Sequence, residues 1–315
     1  MRQYLAAVRE ILTNGTRKPS RTGVDTLSTF NINYEIDLQR GFPLLTTKKI
    51  SWKNIVVEML WFLSGRKDIG ILKKHDCKFW DSWADERTGE VPSAYGNFWR
   101  RFPVHVQSDG SFNQAADTYL GFNDQIVWAI DELKRNPMSR RVNVTAWAPG
   151  NAQTSKLPPC HMNFTLNVQL ALAADFKGHG LEEPRYEPRL CLHLTQRSCD
   201  VALGVPYNIA SYALLLALFA RFTGIEAGTF AHTLVDAHAY TSKADGSMAE
   251  FDHVPGLRQQ LERDPRPLPK LVIDPAIKTL ADVERLLEED TNTVMRHFVL
   301  EGYDPHPPIS FKVAV

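Results

Sequence analysis

Two stretches of this chain, residues 52–63 and 209–223, carry apolar side chains on nearly every helical face, and a helix of that kind has to be enclosed by the rest of the fold. With 315 residues, 43% of them apolar, the chain has enough material to do so. The longest apolar stretch, near 212–220, is too short to span a bilayer, so protein and not lipid is the expected surrounding and no membrane partner is implied. Glu58 falls inside the first of these helices. A carboxylate there needs a buried donor, or its pKa rises.

The remaining pattern mixes helices and strands. Residues 3–12 read as a helix stopped by Asn14-Gly15, 26–38 as a strand pair, 123–136 as a helix, and 142–147, 162–173, 189–195, 229–234 and 309–315 as strands. Residues 78–85 and 95–101 are aromatic-rich loops or short helices, and 174–188 is an inserted surface loop rich in Gly, Pro and charge. No internal repeat and no long linker divides the chain, which predicts a single α+β domain over 1–315. Lys+Arg and Asp+Glu both number 36, so no global field favours duplex nucleic acid or an anionic membrane, and no DNA partner is expected. The amphipathic start MRQYLAAVREIL has no apolar signal core. Four cysteines without CxxC spacing argue against a zinc cluster or a secreted disulfide framework. The expectation is a soluble cytoplasmic protein without metal.

Cys160 stands between Pro158-Pro159 and a strand, on a stiff backbone that holds it in place. An isolated cysteine is most often a small buried hydrophobe, which is the reading given to Cys77, Cys191 and Cys199. For Cys160, His161 next to it and Arg140, Arg141 and Arg197 on neighbouring elements predict a field that favours thiolate. His161 itself is badly placed as a base for the thiol, because adjacent strand residues point to opposite faces, and a cysteine hydrolase is poorly supported. Arg21, Arg140, Arg141 and Arg197 stand beside Ser20, Thr22, Ser139 and Ser198. Guanidinium plus hydroxyl suits a phosphate.

The stretches SRTGV, FPLLTTKK, VVEMLWFLSG, FWDSWAD, NPMSRR, LPPCH, QRSCDVALGVPYNIASYALL, DAHAY, RPLPKL and EGYDPHP follow one another from Ser20 to Pro307. In that content and order the chain resembles the thymidylate synthase family over nearly its whole length. The resemblance implies a three-layer α+β fold whose central mixed sheet forms the interface of a homodimer. It implies conversion of deoxyuridylate to thymidylate with 5,10-methylenetetrahydrofolate, with Cys160 adding to C6 of the base. Arg21, Arg197 and Ser198 would hold the phosphate, joined by Arg140 and Arg141 from the other subunit. Asn208 would read the uracil edge, and His238 and Tyr240 the deoxyribose hydroxyl. Glu58 and Tyr95 would manage protons. Phe79, Trp80, Trp83, Leu203, Gly204 and Tyr207 would line the folate site, with Asp200 at the pterin, Lys48 near the glutamate tail and Val313-Ala314-Val315 closing over the complex.

The chain departs from the family in three places. Ser93, Ala94 and Phe98 replace a proline, an aliphatic residue and a glutamine around Tyr95, and residues 174–188 and 241–252 are additional and read as surface decoration. Small residues beside Tyr95 could leave room for water, which keeps a sister activity open, deoxyuridylate hydroxymethyltransferase. A non-catalytic nucleotide- or RNA-binding homologue is the remaining alternative; the retained Cys160, Glu58, Tyr95 and Asn208 argue against it.

Overall fold

A computed structural model describes residues 1–104, 121–152, 155–173, 183 and 185–314. In chain order these form α1 (Arg2–Asn14), β1 (Thr16–Pro19), β2 (Asp25–Asp37), α2 (Trp52–Ser64), α3 (Gly70–Lys74), α4 (Tyr95–Arg100), β3 (Phe102–Val104), β4 (Gly121–Asn123), α5 (Gln125–Arg135), β5 (Asn143–Thr145) and α6 (Pro149–Ala152). The second half supplies β6 (His161–Leu172), β7 (Tyr186–Asp200), α7 (Gly204–Thr223), β8 (Glu226–Thr241), α8 (Val254–Leu261), β9 (Lys270–Ile273), α9 (Leu280–Leu287), α10 (Thr291–Arg296) and β10 (Phe298–Glu301). The larger part of the predicted loop 174–188 lies outside the described residues.

The central sheet is mixed, in the order β1-β2-β8-β7-β6-β5. All neighbours are antiparallel except β7 and β8. Parallel neighbours need a crossover, and α7 supplies it, packing back on both strands it connects. By length and composition α7 could cross a membrane, but it is largely buried within this fold, so its apolar faces are accounted for by the core. The predicted helix 209–223 starts earlier, at Gly204, because Pro206 occupies the first turn, where its missing N–H costs nothing. The other all-face helix, α2, is begun by the Ser51 hydroxyl accepting from the Asn54 N–H and ended by Gly65 at φ 69°.

One face of the sheet is the core face, carrying Phe164, Leu166, Leu192, Leu194, Phe230 and Leu234, all buried. The opposite parity is polar: Thr165 and Asn167 on β6, His193 and Thr195 on β7, Thr233 on β8, Asn33 and Glu35 on β2, all half-buried or exposed. His193 and Asn33 both hydrogen-bond the Thr233 hydroxyl, at 2.8 and 2.6 Å, forming a polar rung across three strands.

Two sequence expectations need correction, and one surface insert makes a contact worth noting. Residues 26–37 lie in one long strand, β2, and not in a strand pair, and Leu38 begins a 3-10 turn; the pairing of β2 with β8 skips Asn31, which sits at φ 61°. Residues 309–314 form no strand. They run over α8, with the Phe311 ring against Gly256, where a Cβ would come within 2.7 Å of it. The stretch 241–252 is a largely exposed excursion, as expected of a surface insert, closed by the His253 N–H donating to the Tyr240 carbonyl at 3.0 Å. Its end carries Glu250 and Phe251 to Lys312, whose ammonium lies 4.3 Å from the Phe251 ring centre and 3.7 Å from the Glu250 carboxylate.

Candidate active site

Cys160 is the residue before β6, and its backbone is held from two sides. Its N–H donates to the Tyr95 hydroxyl at 3.3 Å, and its carbonyl accepts from the Arg197 N–H at 2.9 Å. The Arg197 guanidinium also ties down the preceding turn, donating from Nε to the Pro159 carbonyl (3.0 Å) and from Nη2 to the Pro158 carbonyl (2.7 Å). Burial raises the Cys160 pKa, and Arg197 opposes it without prevailing. Within one protomer the thiolate-favouring field expected from three arginines is therefore not realised. Among the described residues of one protomer Arg197 is the arginine that acts on Cys160; Arg140 and Arg141 are exposed at the end of the turn after α5 and do not line this protomer's cavity.

That cavity, about 630 Å³, opens above Cys160. Arg21 reaches it from the loop between β1 and β2, Arg197, Ser198 and Asp200 from β7, Gly204 and Asn208 from α7, His238 and Tyr240 from β8, and Ala314 from the chain end. Strand β8 runs to Thr241, well past the predicted 229–234, and so delivers His238 and Tyr240 to the same mouth as β7. Burial alone would lower the His238 pKa, but Asp236 and Asp200 outweigh it and the net shift is upward. Asp236 is in turn held by Lys18 (2.7 Å) and Ser28 (2.5 Å).

A smaller recess of about 140 Å³ adjoins it, sharing Trp83, Tyr95, His161 and Asn208 and adding Glu58, Phe79 and Trp80. Glu58 accepts from the Trp80 indole N–H at 2.7 Å; burial still lifts its pKa to about 7. Tyr95 stacks on His161 with centroids 4.4 Å apart. Burial pushes the His161 pKa down to about 3, so the ring is neutral, and its Nδ1 is buried without a hydrogen-bond partner. Phe79 packs edge-on to Tyr207 at 5.0 Å. The Asp200 carboxylate accepts from the N–H groups of Ala202 (2.8 Å) and Leu203 (3.2 Å), which fixes it at the entrance to α7.

Lys48 is placed differently from the expectation drawn from resemblance. Its ammonium points inward to the Ala202 carbonyl and lies 4.6 Å from the Phe311 ring centre, and burial lowers its pKa to about 8. Leu203 and Tyr207 border the cavities without lining them. Ala94 and Phe98 are buried and line neither cavity, while buried Ser93 faces a separate surface hollow with Trp83 and Asp85. Gln196, Lys156 and Asp236 also line the main cavity. Sequence reasoning passed over them; for Gln196 the signal was its place directly before Arg197 in a strand.

A thiol fixed at the floor of a cleft, facing guanidinium groups on one side and an aromatic recess on the other, is the layout of a group-transfer enzyme with a nucleophilic cysteine and an anionic substrate. The thymidylate synthase family model matches residues 2–315. The chain is 38% identical to the thymidylate synthase of Haloferax volcanii, over 98% of this chain and 95% of that protein. The chain belongs to the thymidylate synthase family.

Proposed function

We propose that this enzyme converts deoxyuridylate to thymidylate, with Cys160 as the nucleophile. The observation that carries the reading is the meeting, in one cavity, of Cys160, the guanidinium groups of Arg21 and Arg197, and the Asn208 amide. The guanidinium groups and the Ser198 hydroxyl suit the phosphate; the amide offers one donor and one acceptor, which match O4 and N3–H of uracil. Attack by Cys160 Sγ on C6 forms the S–C bond and moves the C5=C6 electron pair toward O4. The thiol proton leaves to a base, and C5 becomes nucleophilic. Because burial disfavours the thiolate in the free protein, the attack on C6 needs that base to take the thiol proton as the S–C bond forms.

The aromatic recess fits a flat heterocycle with polar edges, since Glu58 and the unpartnered His161 Nδ1 stand among its rings. Phe79, Trp80, Trp83 and Tyr207, with Asp200, would hold methylenetetrahydrofolate, which supplies the one-carbon unit and the reducing equivalent. Glu58, with its pKa near neutrality, is suited to hold and return a proton beside the base. The exposed Arg140 and Arg141 and the polar sheet face support a homodimer in which these arginines complete the partner's phosphate site.

Mass spectrometry of the nucleotide formed from deoxyuridylate and methylenetetrahydrofolate tests the proposal. Thymidylate with dihydrofolate is the expected result. Hydroxymethyldeoxyuridylate with tetrahydrofolate would replace it with the sister activity. That second reading is drawn from Ser93, Ala94 and Phe98 around Tyr95, of which Ala94 and Phe98 are buried and Ser93 lines a hollow that shares Trp83 with the recess.

A further inference from the structure

A chain of side-chain hydrogen bonds leaves the cleft beneath Asn208 and ends on Tyr34 of β2. Gln196 Nε2 donates to Asn208 Oδ1 and to the Ser198 carbonyl, both at 3.0 Å. A backbone carbonyl can only accept, so the nitrogen of Gln196 has to face Ser198, which leaves Oε1 facing His232 Nε2 at 3.0 Å. His232 is buried and burial holds its pKa well below the ordinary value, so the ring is neutral and carries one N–H. That proton has to be on Nε2, because Nε2 meets an acceptor. Nδ1 is then the acceptor for the Tyr34 hydroxyl at 2.8 Å. Tyr34 and His232 are direct cross-strand partners of β2 and β8, with rings edge-on at 5.4 Å. Every donor in the chain points the same way, from Tyr34 to Asn208.

We propose that Tyr34 and His232 are specificity-determining positioning residues, which reinforce the hold of the Ser198 carbonyl on Gln196, and with it the orientation of the Asn208 amide and the preference for uracil over cytosine. The inference rests on the reading above in which Asn208 meets the base. An unrestrained amide turned over by 180° exchanges donor and acceptor and would fit cytosine as well as uracil. Here the turn is opposed along the whole chain. Reversing Asn208 sets its NH₂ against the Gln196 NH₂, and reversing Gln196 sets its oxygen against the Ser198 carbonyl and its NH₂ against the His232 N–H. Moving that proton to Nδ1 forces the Tyr34 hydroxyl to accept, leaving its own proton unpaired, since His232 is its hydrogen-bond partner among the described residues.

The test is the ratio of dissociation constants for deoxycytidylate and deoxyuridylate, measured on the full-length enzyme without folate, for the native protein and for Tyr34→Phe. The variant keeps the ring and loses only the hydroxyl. A ratio that falls by about three- to tenfold, chiefly through tighter deoxycytidylate binding, is expected. A merely structural role would weaken both nucleotides alike, and an unchanged ratio in the folded variant would overturn the inference. A native enzyme that does not prefer deoxyuridylate would instead bring down the base-reading role of Asn208, and this inference with it. Independently of any nucleotide, the ¹⁵N spectrum of His232 should show the proton on Nε2 in the native protein. A proton on Nδ1 would overturn the proposal outright.

Discussion

The Trp80 indole N–H donates to Glu58 Oε1 across 2.7 Å, from a short aromatic segment to the middle of a buried helix. Burial raises the carboxyl pKa from an ordinary 4.5 to about 7, with the indole bond pulling the other way. The folded form thus binds a proton that the unfolded chain has released between those two values. Stability associated with Glu58 is fully present below pH 4.5 and lost as pH rises through 7. Urea unfolding of the native protein and of Glu58→Gln should diverge over that window, the native protein losing up to about 3 kcal/mol relative to the variant. Curves that stay parallel from pH 4.5 to 8 would refute the assignment. Trp80→Phe removes a bond that stabilises the carboxylate, so the corresponding limb of the pH–rate profile should move to higher pH.

Arg197 is asked to do two things, to brace the prolines before Cys160 and to lower the thiol pKa against burial. Alkylation of Cys160 by iodoacetamide in the free enzyme should therefore be slower at pH 7 than for an exposed cysteine. Arg197→Gln should slow it further, because the opposing charge is gone. Faster alkylation in the variant would mean that bracing, and not charge, dominates. Cys160→Ala should abolish turnover, and deoxyuridylate binding should persist by calorimetry.

Gly96 marks the closest approach of α4 to α2. A Cβ built there would lie 2.1 Å from the Phe62 carbonyl oxygen and 2.6 Å from Phe62 Cα. Backbone cannot move aside as a flexible side chain can, so Gly96→Ala has to push the two helices apart. About 2–4 kcal/mol of stability should be lost in chemical denaturation, at or above the usual range for overpacking. Tyr95 is the next residue, so kcat should fall as well. A variant with native stability would show that the helices separate at little cost.

The positions of α2 and α7 were legible because all-face apolar helices leave no choice but burial, and the cysteine was legible from the prolines that stiffen its approach. Strand lengths were not. Residues 235–241 and 196–200 alternate less cleanly, because their side chains face a cavity instead of a uniform core, yet pairing between β7 and β8 continues to Asp200 and His238. The inward turn of Lys48 depends on Ala202 and Phe311, which are 154 and 263 residues away in the chain, and no local pattern reports such a contact. The link from Asn208 to Tyr34 was hidden for the same reason: it runs across three strands and one helix, and its steps join residues 12, 36 and 198 positions apart in sequence.

The least expected contact joins the excursion 241–252 to the chain end. His253 donates from Nε2 to the Lys312 carbonyl at 2.8 Å, its ring lies 5.0 Å from that of Phe311, and the Lys312 ammonium rests over Phe251 beside Glu250. Val313 and Ala314, the next residues, line the main cavity. Anchoring Lys312 restricts the segment that follows it, so less entropy would remain to be lost if that segment closes over a folate, as the resemblance implies. The double variant Glu250→Ala, Phe251→Ala should raise the KM for methylenetetrahydrofolate by about two- to fivefold, as expected from one exposed cation–π contact. The dissociation constant for deoxyuridylate should hardly change, because the phosphate and base contacts lie on other elements. Steady-state kinetics with each substrate varied in turn would separate the two, and an unchanged folate KM would return the excursion to the role of surface decoration.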